Sequence, residues 1–125
     1  MPTLIALLST GKGTWAEVNR LIQVQNWDKV FLITNKFGEE NFKNRPESVR
    51  LVVVDADNSD VVSLTEQIKK QLDGQISDFE IALNLASGYG KEHMAVLEAV
   101  LELGLNFRLV TVNSYGRLEV LGIRI

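Results

Sequence analysis

The chain has 125 residues, 46% of them hydrophobic, a net charge of −3 and no cysteine. That is enough for one domain with one substantial core and hardly for two, and it is too apolar for a disordered chain. Thiol catalysis, cysteine-ligated metal and disulfides are excluded, and a single histidine rules out a His-rich metal site within one chain. The acidic balance argues against a surface for duplex DNA, which shows as a basic excess. It leaves room for a small anionic ligand, because a pocket responds to local rather than net charge.

The opening "MPTLIALLST" lacks the basic start and longer apolar stretch of a signal peptide. No segment reaches the roughly 18 apolar residues of a membrane helix, so the reading is a soluble, cytoplasmic protein without a membrane partner. "TLIALLS" (3–9) is a nearly unbroken apolar run ending at Gly11, as for a strand buried on both faces. "TWAEVNRLIQVQ" (14–25) sets Trp15, Val18, Leu21 and Ile22 at helical spacing, with Thr14 as N-cap and Glu17 completing a capping box. "KVFLITN" reads as a second buried strand, "FGEENFKNRP" as a short helix or irregular connection, and "RLVVVDA" as a third strand. "SDVVSLTEQIKKQLDG" places Val61, Leu64, Ile68 and Leu72 on one helical face, with a capping residue ahead and Gly74 behind. "FEIALNL" is a fourth strand. "KEHMAVLEAVLELG" is a helix apolar most of the way round and is therefore expected to be covered on several sides. "NFRLVTV" is a fifth strand, and "NSYG" turns it into the alternating "RLEVLGIRI" as a hairpin.

Strands alternating with helices imply an α/β fold, with right-handed crossovers and helices on both faces of a sheet. The expectation is one Rossmann-like domain over residues 1–125, a three-layer α/β/α sandwich. Its six-stranded sheet is mostly parallel and closes on a C-terminal antiparallel hairpin.

In such sheets ligands sit beyond the carboxyl ends of the strands, where the winding direction reverses. Two loops compete for that place. "STGKGT" follows the first strand with Ser9, Thr10, Gly11, Lys12 and Gly13. "SGYGK" follows the fourth with Ser87, Gly88, Tyr89, Gly90 and Lys91. If the first and fourth strands are neighbours, the loops face each other. Helix-start amides, glycines that admit close approach, lysine charge and hydroxyl donors together suit phosphate. Any βα turn also uses a glycine and a cap, so each loop alone has a plain structural explanation. Neither has the spacing of a Walker or G-x-G-x-x-G motif, which counts against an ordinary kinase or dehydrogenase.

Other residues divide in the same way. Asp55 and Asp57 in "VVVDADNSD" suit Mg²⁺ or phosphoryl transfer, but helix capping explains the segment with less. Trp15 fits the apolar face of its helix better than a base stack. Tyr89 lies inside its loop, where stacking on a base or bonding a phosphate competes evenly with a core role. Asn35 and Lys36 end the second strand and border the same edge. His93, two residues beyond Lys91, suits a general acid; a bond to a neighbour is the simpler reading.

"IALNLASGYGKEHMAVLEAVLELGLNFRLVTV" resembles the signature region of CARF domains, the CRISPR-associated Rossmann-fold sensors, with Asn84, Ser87, Gly88 and Lys91 at the matching positions. The family often reads Thr-Gly-Gly-Thr-Lys, one residue shorter than this turn. "LLSTGKGT" resembles the family's other ligand loop. The resemblance implies a homodimer that binds a cyclic oligoadenylate, such as the tetra-adenylate, across its two-fold axis in type III CRISPR antiviral signalling. A stand-alone domain of this kind either senses the ring or destroys it as a ring nuclease. Cleavage would need no metal and no cofactor: a 2′-hydroxyl attacks the adjacent phosphate, Lys91 stabilises charge, and Ser9 or Thr10 orients the reacting groups. Gly11, Lys12, Gly13, Asn84, Ser87, Gly88, Tyr89, Gly90 and His93 would complete the ligand contacts. Outside that resemblance stand a Rossmann-like module for another nucleotide or for a partner protein, and a metal-dependent phosphohydrolase using Asp55 and Asp57.

Overall fold

The computed structural model describes residues 3–9, 15–42 and 45–122. Their elements follow in the order β1 (Thr3–Leu7), α1 (Trp15–Gln23), β2 (Lys29–Thr34), α2 (Lys36–Asn41), β3 (Val49–Val53), α3 (Val61–Leu72), β4 (Glu80–Asn84), α4 (Gly90–Glu102), β5 (Asn106–Val112) and β6 (Leu118–Val120). The sheet order is β3-β2-β1-β4-β5-β6; all neighbours are parallel except β5 and β6. The expected Rossmann-like α/β architecture is what forms. Thr14, expected to cap α1, lies outside the described residues.

β1 and β4 sit at the centre because they are apolar on both sides of the pleat. Ile5, Leu7, Ile81 and Leu83 face one layer, where α3 and α4 supply Leu64, Ile68, Leu72, Ala95, Val96 and Val100. Leu4, Ala6, Leu8 and Ala82 face the other, against Val18 and Leu21 of α1, Trp27 and Phe42. A truncation such as Leu7→Ala in this packing would cost about 2–5 kcal/mol.

The helix starts follow local chemistry. Asn35 caps α2, its Oδ1 accepting the Gly38 amide at 3.0 Å, so this border residue has a cap's duty. Gly38 is required by space, since a Cβ there would lie 1.8 Å from Thr34 Oγ1. Asp60 caps α3 through the Ser63 amide at 2.8 Å. The turn "NSYG" is held by Asn113, whose Oδ1 accepts the amides of Tyr115 and Arg117 at 3.0 and 3.1 Å. Gly116 takes the positive φ that this turn demands, at 76°.

α3 and α4 pack side by side on one face of the sheet. Lys69 bridges them, 2.8 Å from Glu102 and 3.3 Å from Glu66. α4 is covered by the sheet and by α3, with one outer stripe left to solvent. Met94 (57% exposed) and Leu101 (61%) lie on an outer stripe with Glu98, while Ala95, Val96, Ala99 and Val100 fill the core. The sheet and α3 between them take the apolar positions that point inward.

Candidate functional site

β1 and β4 are hydrogen-bonded neighbours, with Leu4 opposite Ala82 and Ala6 opposite Asn84. The chain winds outward from β1 to β2 and β3, and returns to place β4 on the other side of β1. The gap between them is thus the topological switch point, and both Gly-rich loops leave the sheet there. They touch: the Ser9 amide donates to Ser87 Oγ at 2.9 Å. Residues 10–14, including the expected contacts Thr10, Gly11, Lys12 and Gly13, lie outside the described residues.

Ser87 is the hub of the junction and is 1% exposed. Besides the bond from Ser9, its carbonyl meets His93 Nε2 at 2.9 Å. A carbonyl only accepts, so Nε2 carries the proton. His93 is therefore engaged with a neighbour. On the other side, the Trp15 indole donates to the Ser9 carbonyl. The Trp15 ring packs edge-on to Phe42 (5.9 Å between centroids) and tilted against Phe37 (6.0 Å). Trp15 thus belongs to the packing around α1, and its one polar atom fixes the start of the first loop.

Gly88 is obligatory. Its φ is +91°, and a Cβ there would meet Leu7 Cδ2 at 3.1 Å and Glu92 Oε1 at 3.2 Å. The turn then delivers Tyr89 to the cap position of α4, where its amide donates to Glu92 Oε1 at 2.9 Å. This is the half of a capping box in which the N3 carboxylate takes the N-cap amide. The first intrahelical bond runs from the His93 amide to the Tyr89 carbonyl at 2.9 Å. The amides of residues 90–92 precede it and are the orphan donors of the helix start. Gly90 leaves the approach to them open: it is exposed, and no atom lies within 4 Å of a Cβ placed on it. The Tyr89 ring is 70% exposed and so has no place in the core. A cavity of about 320 Å³ opens at the same edge between α1 and the β5–β6 turn, lined by Glu17, Arg20, Val112 and Asn113.

Two expected contacts are turned away from this opening. Asn84 is 3% exposed: its Nδ2 donates to the Val110 carbonyl at 2.8 Å and its Oδ1 accepts the Ala86 amide at 3.1 Å. It ties β4 to β5 and shapes the turn. Lys91 reaches to the β3–α3 loop, donating to the Ala56 carbonyl and, at 3.0 Å, to the Ser59 carbonyl. No sequence spacing announces that contact, since its partners lie 35 and 32 residues away.

The β3–α3 loop is itself laced together. The Asp55 amide donates to Gln67 Oε1 at 3.0 Å, and Gln67 Nε2 donates to Ser59 Oγ at 2.8 Å. The Asp55 carboxylate accepts from Asn58 at 3.1 and 3.3 Å, and Asp57 is exposed. The cap of α3 is Asp60 rather than either of them. Among the described residues no three carboxylate, imidazole or thiol groups converge as metal ligands. None of the helices there is long and apolar enough to cross a membrane.

Comparison with protein families and with curated proteins finds no match to either.

Proposed function

We propose that the chain is a CARF-like receptor that binds a cyclic oligoadenylate, the tetra-adenylate in first place, as a homodimer with the ring on the two-fold axis. The observation that carries the reading is the Ser9–Ser87 bond at the switch point, which ties the residue that opens the first Gly-rich loop to the second. Helix-start amides at 90–92, left open by Gly90, add donors for phosphate, and the exposed Tyr89 ring adds a surface for a base. Lys12 brings a full charge to the first loop by its place in the sequence. A two-fold copy would double every one of these groups around a ring of matching symmetry.

Two further observations favour binding over cleavage. Lys91 and His93, which would stabilise charge and deliver a proton, are both engaged with backbone carbonyls. The test is incubation of the protein with radiolabelled cyclic tetra-adenylate in EDTA, read by gel shift and by product analysis. The expected result is a shifted, intact ring. Linear fragments with 2′,3′-cyclic phosphate ends would replace the receptor by a ring nuclease. No shift and no product would leave a module for another nucleotide or for a partner protein.

A further inference from the structure

We infer that Lys91 is a positioning residue, a strut that fixes the start of α4 against the β3–α3 loop, and that it does not contact the ligand's phosphates. This inference rests on the proposed ligand reading for its binding arm only. The ammonium has three donors; two are directed to the carbonyls of Ala56 and Ser59. Lys91 is half-buried, and the two carbonyls replace the water its ammonium loses. The loop it grips is stiff. Gln67 holds it from the α3 side through the Asp55 amide and Ser59 Oγ, and Asp60 caps the helix that follows. One end of the strut is therefore anchored in α3, which packs along α4.

The other end is the second residue of α4, beside the orphan amides of residues 90–92. A ligand held by those amides needs them fixed relative to Ser9 and Ser87. Ser87 is locked to Ser9 on one side, and Lys91 locks the helix start on the other. The carbonyls leave the ammonium its charge but turn its donors inward, so they are not offered to a phosphate. Lys91 thus affects affinity through geometry, whereas a phosphate-binding lysine would act through Coulomb attraction and counterion release.

The test uses Lys91→Met, which keeps the apolar stem and removes the donors. Amide hydrogen exchange is followed in the ligand-free protein, and the affinity for cyclic tetra-adenylate is followed from low to high salt. The strut predicts exchange at residues 55–60 at least about tenfold faster, because the charged hydrogen bonds to the loop are gone. It also predicts about tenfold weaker binding with an unchanged slope of log affinity against log salt. A lysine that neutralises phosphate directly would instead lower that slope by about 0.7 for each phosphate it pairs with. Unchanged exchange, a lowered slope, or unchanged affinity in a loosened loop would each overturn the inference. If the wild-type protein binds no ring, the ligand reading falls alone, and the exchange arm still decides whether Lys91 holds the loop.

Discussion

The decisive residue for the shape of the site is Gly88. Its positive φ strains any L side chain, and a Cβ would force Leu7 and Glu92 to give way. Gly90, two positions on, has neither constraint. Alanine should therefore separate them. Gly88→Ala is expected to lose about 1–2 kcal/mol from the left-handed conformation alone, more from the crowding at 3.1 Å, and to weaken ligand binding. Gly90→Ala should leave stability within about 0.5 kcal/mol. Urea unfolding of the two variants checks this; equal stability would mean that the turn is not built around Gly88. The sequence marks both glycines alike, because spacing shows where a turn falls but not which of its residues takes positive φ. Asn84 and Lys91 are opaque for a related reason. Their residue types suit a ligand, and only the three-dimensional neighbourhood reveals that Val110, Ala56 and Ser59 take their hydrogen bonds.

The elements are far easier to read. β1 and β4 announce themselves as largely apolar runs because both faces of a central parallel strand are covered. α3 declares both ends through Asp60 and Gly74. Short or one-sided elements lose definition: α2 has six residues and so little periodicity, and the exposed Met94 and Leu101 make α4 look more enclosed than it is. The α3–α4 seam has its own titration. The Lys69 ammonium, and then a hydrogen bond from Glu98, hold the Glu102 carboxyl below its ordinary range, while the bond to Glu102 first and burial second hold Glu98 above it. Glu102 therefore adds stability that is present above the unfolded carboxylate range and lost as pH falls through its folded pKa. Glu98 has the opposite sign: its contribution is present in acid and lost as pH rises through its raised pKa. Both are exposed, so the two effects, opposite in sign, are screened by solvent. NMR titration should find Glu98 keeping its proton to higher pH than Glu102, and Lys69→Met should move Glu102 upward. A Glu102 carboxyl indifferent to Lys69 would show that the bridge is not formed in solution.

At the scale of the whole molecule, winding decides where the chemistry sits. The order β3-β2-β1-β4-β5-β6 sets β1 and β4, each followed in the sequence by glycines, hydroxyls and a lysine, side by side. The bond from the Ser9 amide to Ser87 Oγ links the ends of the two strands beyond the sheet. A single copy offers the amides at the start of α4 and an exposed tyrosine. A ring with several phosphates needs a second half. Native mass spectrometry of the protein mixed with cyclic tetra-adenylate tests this most directly. The account predicts one intact ring bound to two chains; a ring held by a single chain, or no complex at all, would contradict it.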